Sequence, residues 1–231
     1  SLYNMPFLLP NPLEVARAFV TDFDMIVGGL WITFQEALYG YLLAISIGIS
    51  SAAVMSQSKI LERSFYPYAI LLQTLPAVAV APLIVLWFGF DMQSVVVISL
   101  IISLFPIINN TLLGLKSTSI NLVELFQMHN SSRIVNFFKL RHPAAIPHII
   151  AGLRISAGLS VIGAIVGEFI IGSGAEGGGL GVMVIYAQAD LETALVIALI
   201  LTATFLGFAF FMTVTALGHQ LLKHWHESEI A

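Results

Sequence analysis

Apolar residues in this chain run on in long unbroken stretches. Such stretches cover about residues 26–55, 66–88, 93–115, 149–171 and 193–217. Each reaches the roughly 20 residues that a helix needs to cross a bilayer. Strands of a membrane barrel would alternate apolar and polar positions, so the pattern predicts spanning helices. Pro76 and Pro82 interrupt the second stretch, and Pro106 lies inside the third. Ahead of the first span, Asn11-Pro12-Leu13-Glu14 predicts a helix start. Asn11 can cap, Pro12 suits the first helical position, and Glu14 completes a capping box. The short amphipathic helix that follows runs to about residue 23, which makes 1–25 an interfacial segment. After the fourth span a Gly-rich link, 172–181, leads to a short non-spanning helix that ends by Glu192. Residues 218–231 form a polar tail.

The longest polar interruption, 116–149, organises the rest. From Asn121 it reads NLVELFQMHNSSRIVNFFKLRHPAAIPHI. Leu122, Leu125, Phe126 and Met128 make one apolar stripe at helical spacing, and Ile134, Val135, Phe137, Phe138 and Leu140 make another. Ser131 or Ser132 is the N-cap expected between them. Pro143 and Pro147 then punctuate the return into an apolar run. Such a loop suits the grip of a soluble partner. A solvated loop lying on lipid headgroups fits the same shape.

Composition agrees with the spans. Hydrophobic residues make up 58% of the 231 and charged residues only 10%, against about 25% charged in soluble domains. Mean hydropathy is +0.95. The chain has no cysteine, hence no disulfide framework and no thiolate chemistry. In an alternating topology Lys59, Arg63, Lys116, Arg133, Lys139, Arg141, Arg154 and Lys223 fall on one side and only Arg17 on the other. The positive-inside rule makes the first side cytoplasmic. Glu14, Asp22, Asp24, Asp91, Glu176, Asp190 and Glu192 collect outside. The chain opens on Ser1, with neither a start Met nor a cleavable signal pattern. Five spans with a cytoplasmic C-terminus leave Ser1 outside, and a preceding sixth span is the expectation that restores an even number.

Several short motifs recur in a familiar order. They are Leu9-Pro10-Asn11-Pro12, Pro76 with Ala81-Pro82-Leu83, Trp87-Phe88-Gly89, Phe105-Pro106-Ile107 with Asn110-Thr111 and Gly114, Pro143-Ala144-Ala145-Ile146-Pro147, Ala151-Gly152-Leu153-Arg154, Glu168, and Gly179-Leu180-Gly181. In this order and spacing the chain resembles, over nearly its whole length to Trp225-His226, the permease subunit of a binding-protein-dependent ABC importer. It is most similar to the branch that imports sulfonates, taurine, nitrate or pyrimidine precursors. The resemblance implies an all-helical polytopic bundle of the type I importer kind, five spans here and six in a complete protein. It implies a homodimer in a bacterial inner membrane. A periplasmic or lipid-anchored binding protein would deliver solute, and ATP-binding-cassette ATPase subunits would carry ATP and Mg. It also implies that 116–149 is the cytoplasmic coupling loop, with Glu124, Leu125, Phe126, Asn130, Arg133 and Phe137 at the ATPase. The family signature there is Glu-Ala-Ala, then Gly, then Leu-Pro. This chain keeps Glu124 but has Leu125 and Phe126 for the alanines, Asn130 for the glycine and His142 before the proline.

No nucleophile, base and oxyanion arrangement is present, and no phosphate-binding loop of the Gly-Lys-Ser/Thr kind. Neither a catalytic residue, a metal site, a cofactor on this chain nor a nucleic-acid partner is therefore expected. Residues for a solute path are Glu36, Pro76, Pro82, Asn110 and Glu168. Glu36 and Glu168 are the carboxylates well inside spans, and both fall in the outer half of the bilayer. Each either faces a watery path, where it would disfavour anions, or is a protonated structural carboxyl bonded to a neighbouring helix. Two rivals remain. A secondary transporter would show paired repeats with interrupted helices, and none is visible. An intramembrane enzyme would need catalytic groups beyond these two carboxylates.

Overall fold

The computed structural model describes residues 10–129, 131–171 and 178–222. These are helical nearly throughout, with no strand among them. Asn11 accepts from Leu13 N–H and Glu14 Oε2 accepts from Asn11 N–H at 2.9 Å, so the expected capping box starts α1, Pro12–Thr21. Asp22 turns the chain directly into α2, Phe23–Met55, whose 33 residues extend about 50 Å at helical rise. The following helices are α3 (Lys59–Thr74), α4 (Ala77–Phe88), α5 (Met92–Lys116), α6 (Ile120–Met128), α7 (Arg133–Asn136), α8 (His142–Ile171), α9 (Leu180–Ala189) and α10 (Thr193–Leu222). Among the described residues four helical stretches are long and apolar enough to span: α2, α5, Arg133–Ile170 and α10. A fifth is present if α3 and α4 count together.

Several helix bounds and breaks sharpen the expectations. The second span breaks at Pro76, as the sequence suggests, into two helices turned by 101°. Leu75, held extended by Pro76 (ψ 122°), makes the corner. Helix α3 also begins earlier than expected, because the Ser58 side chain accepts from Ile60 N–H at 3.2 Å and caps it. Pro82 breaks nothing, since α4 continues past it. Pro143 and Pro147 likewise do not interrupt the chain. Between α7 and α8 the stretch Phe137–Arg141 widens to π geometry, with His142 N–H bonded to Phe137 O five residues back. The ladder runs wide just before Pro143, which has no N–H to offer. Helix α10 runs on into the tail segment, as far as Leu222.

Helix α5 lies between α2 and α8 and forms the centre. Lipid supplies no hydrophobic drive between helices, so close backbone approach and polar contacts must join them. Ser99, Ser103, Ser156 and Ser160 are all fully buried along the α5–α8 seam. Ser99 Oγ donates to Ser160 O at 2.8 Å, and Ser156 Oγ donates to Ser103 O at 2.6 Å. Gly163 sits over Ser99, where an added Cβ would come 2.7 Å from the Ser99 Cα. On the other flank, α1 packs Val15, Ala18 and Phe19 against Leu195 and Leu199 of α10.

Candidate functional site

The basic residues meet at one end of the bundle. There α2 and α5 finish, α3 begins, and the 116–149 segment folds across. Lys116 Nζ pairs with Glu62 Oε1 at 2.7 Å, and Arg141 Nη1 donates to Ser56 O at 3.4 Å. A cavity of about 480 Å³ opens among Ser58, Lys59, Glu62, Lys116, Thr118 and Arg141. A smaller one of about 260 Å³ is lined by Gln57, Arg133, Asn136, Phe137 and Arg141. The positive side is therefore one contiguous surface.

Helix α6 crosses this surface with its apolar residues outward. Leu122 and Leu125 are half exposed, Met128 is 81% exposed, and Glu124 is exposed beside them. Phe126 is half-buried, and its carbonyl accepts both the N–H and the hydroxyl of Ser131, at 3.1 and 2.7 Å. Ser132 then caps α7 by accepting from Val135 N–H at 3.3 Å. Each of the two serines expected as a cap thus has its own task. Arg133 is exposed, while Phe137 is half-buried and meets Phe138 edge-on at 5.2 Å. Glu124, Leu125 and Phe126 stand on α6, and Arg133 and Phe137 on the next helical stretch. Asn130, expected between them, lies outside the described residues.

The residues singled out for a path do not form one cluster. Pro76 begins α4 at the sharp corner and is exposed, as is Pro82 one and a half turns on. Asn110 is half-buried on α5, with Nδ2 donating to Pro106 O at 2.8 Å. At the corner itself Gln73 and Thr74 are exposed next to Pro76. Sequence reading passed over them, although a polar dipeptide two residues before a proline in an apolar stretch is the signal that marks them.

Glu36 and Glu168 do come together, at the end of the bundle opposite the basic surface. They are 4% and 1% exposed. Thr33, one turn before Glu36, donates its hydroxyl to Glu168 Oε1 at 2.6 Å. Gly181 N–H donates to Glu168 Oε2 at 2.5 Å, and Leu180 N–H to Thr33 Oγ1 at 2.9 Å. The first turn of α9 is thus capped by side chains of α8 and α2. This accounts for Gly179-Leu180-Gly181. A Cβ at Gly179 would collide with Glu168 Oε1, and one at Gly181 would stand 2.7 Å from Glu168 Oε2.

Residues 44–223 match the family described as the binding-protein-dependent transport system inner membrane component. The chain belongs to this family. It is a multi-pass permease subunit of an ABC importer. A probable ABC transporter permease of Haemophilus influenzae is 32% identical to it over 94% of this chain and 86% of the relative. A formylaminopyrimidine transport permease of Halalkalibacterium halodurans is 35% identical over 73% and 68%. A putative aliphatic sulfonates transport permease of Bacillus subtilis is 30% identical over 96% and 79%. Among solved structures, an amino acid ABC transporter shares the fold at TM-score 0.68, with 17% identity over 89% of this chain and 96% of that one. The matched stretch of the permease takes in the α3–α4 corner, the basic loop and Glu168, and it starts after Glu36.

Proposed function

We propose that this permease is one half of a homodimeric importer of the bacterial inner membrane, with its C-terminus in the cytoplasm. A solute-binding protein delivers solute from outside, and separate ATPase subunits, which hold ATP and Mg, grip the 116–149 loop. The observation that carries this reading is the outward apolar face of α6. Leu122, Leu125 and Met128 stand exposed on the basic surface, where headgroup water rather than lipid would otherwise meet them. An apolar anchor ringed by Glu124 and Arg133 is what an interface core with a polar rim requires. The family to which the chain belongs works with an ATPase and a binding protein.

Solute would pass along the α3–α4 corner, where Gln73 and Thr74 offer neutral hydrogen-bonding groups. No Lys or Arg lies between Pro67 and Gly89, so this stretch has no cation with which to hold a bare anion. That favours a neutral pyrimidine-type nutrient, the kind named for the Halalkalibacterium relative, over the sulfonates or nitrate named for others. The test is coexpression with the ATPase and binding protein, followed by solute-stimulated ATP hydrolysis in proteoliposomes. Copurification of the ATPase and stimulation by a pyrimidine-loaded binding protein are expected. Transport without any ATPase would replace this reading with the secondary-transporter one, and stimulation by sulfonate alone would overturn the solute class.

A further inference from the structure

Arg154 stands on α8 within a stretch that is otherwise apolar. Its guanidinium lies against α10, one turn from the end of that helix. A Cβ added to Gly218 would come 3.4 Å from Arg154 Nη2 and 3.7 Å from Nε, so the glycine leaves the room that the guanidinium takes. Nothing there receives its protons. Arg154 Nε is buried and without a partner, and among the described residues no carboxylate pairs with this arginine. One turn before Gly218, the Thr215 hydroxyl is buried and unpartnered as well. A guanidinium does not shed its charge, and a charge at membrane depth needs a partner. Unmet donors on two neighbouring helices therefore call for an acceptor that carries negative charge.

An apolar groove of about 500 Å³ begins one turn along α8 from Arg154 and runs away from the basic end. Arg154, Gly158, Ile162, Ile165 and Phe169 follow one another at spacings of three or four, so they share one face of α8. Gly207 and Phe208 of α10 form the opposite wall. Two glycines keep the groove open. A Cβ on Gly158 would meet nothing within 4 Å, and one on Gly207 would first meet Val161 at 3.9 Å. Thr204 also lines it, but its hydroxyl donates to Ile200 O at 2.8 Å and is spent within α10.

The dimensions are those of one lipid. From Gly158 to Phe169 the groove extends about 17 Å at helical rise. That is close to half of a hydrocarbon core about 30 Å thick, the depth that the tails of one leaflet fill. From Arg154 to the end of α8 at Ile171 is about 26 Å, which sets Arg154 at the hydrocarbon boundary of the leaflet at the basic end. Phosphates lie at that level. A zwitterionic lipid brings its own cation to its phosphate, whereas an anionic lipid leaves a net charge to balance Arg154.

We propose that this face is a site for one anionic phospholipid of the leaflet at the basic end. Its phosphate accepts from Arg154 and Thr215, and one acyl chain lies along the groove between α8 and α10. The inference goes beyond the proposed function and does not depend on it, because it needs only a bilayer around these two helices.

The test uses the full chain in micelles that carry equal amounts of phosphatidylglycerol and phosphatidylcholine, with retained lipid counted by native mass spectrometry. The wild type should retain one phosphatidylglycerol, preferred about fivefold for the single guanidinium. Arg154→Gln should lose that preference, and Arg154→Lys should keep most of it. Gly158→Leu extends a side chain into the inner end of the groove without a clash at Cβ, and it should retain less phosphatidylglycerol although Arg154 is intact. The double variant Glu227→Gln, Glu229→Gln should retain lipid as the wild type does. An Arg154→Gln chain with the wild-type preference overturns the proposal, as does a Gly158→Leu chain with wild-type retention. A preference that appears only in the Glu227, Glu229 double variant would assign Arg154 to those carboxylates instead. A wild type that dimerises without retaining lipid would assign the groove to a second copy.

Discussion

Gly163→Ala tests whether the centre of the permease is held by backbone approach. The added Cβ would stand 2.7 Å from Ser99 Cα and 3.4 Å from Ser99 N and the Ile102 Cβ. Carbon atoms rest about 3.5–4.0 Å apart, so α5 and α8 must separate by roughly 1 Å at that point. The same shift would carry the 2.8 Å bond from Ser99 Oγ to Ser160 O past any useful hydrogen-bond distance. Overpacking of this kind costs about 1–3 kcal/mol, and each interhelical bond lost in a membrane adds about 0.6 kcal/mol. A loss of roughly 2–3 kcal/mol is therefore expected. Gly158→Ala, on the same helix, is the control, because its Cβ would meet nothing within 4 Å. Denaturation of the isolated subunit in detergent micelles reads both variants. Equal stability of the two would refute the reasoning, because chemistry and helix are shared and only the neighbour differs.

At the basic loop, Phe126→Asp should leave the chain folded but remove substrate-stimulated ATP hydrolysis, since interface anchors of this kind contribute about 1–3 kcal/mol each. Normal stimulation would dismiss the docking assignment. Cysteines placed at Asp91 and at Met128 should label from opposite faces of the membrane, Asp91 from outside with an impermeant reagent and Met128 only after permeabilisation. The reverse pattern would invert the orientation. Gly181→Ala should cost about 1–3 kcal/mol by driving Glu168 from the first turn of α9, measurable as a lowered melting temperature. Glu62→Gln should cost less than about 1 kcal/mol, because its bond to Lys116 lies on the exposed surface. A larger loss would mean that the loop depends on that pair.

Features set by neighbours in sequence were legible from the sequence. Continuous apolarity alone marks a span, and the Asn11–Glu14 box and the Ser132 cap act within a few residues of themselves. Features set by distant neighbours were not. Ser99, Ser103, Ser156 and Ser160 read as tolerated polar residues until α5 and α8 lie side by side. Thr33 and Glu168 are 135 positions apart, and no local rule joins them. The pattern placed both carboxylates in the outer half of the membrane, but only the fold sets the α2 turn that carries Glu36 beside Glu168. Pro76 announced a break without fixing its angle, because the 101° depends on how α4 packs Ala81 and Ile84 against Ile98 of α5. Pro143 misled, since a π stretch before it lets the helix continue.

That continuity links the two ends of the permease. From Arg133 to Ile170 the chain is one helical run, with Arg133 on the basic surface and Glu168 at the carboxyl pair, about 52 Å apart at helical rise. A helix of this length transmits push and rotation well, because its backbone bonds are satisfied internally and its flank is locked to α5 by the serine seam. The one place where its register can change cheaply is the π stretch Phe137–Arg141, which borders the cavity lined by Arg133 and Arg141. If an ATPase seizes α6 and Arg133, its movement reaches α8 through that stretch before it can reach the seam. A substitution that straightens the stretch should then change coupling without changing stability. Deleting one residue from Phe137–Leu140 would turn the wide stretch into an ordinary α turn and, because a wide turn holds one residue more than an α turn, would keep Arg133 near its present angle while removing the place where register can change. Reconstituted with its partners, such a variant should hydrolyse ATP but no longer respond to solute. A normal response would show that the loop acts on the bundle by a route other than α8.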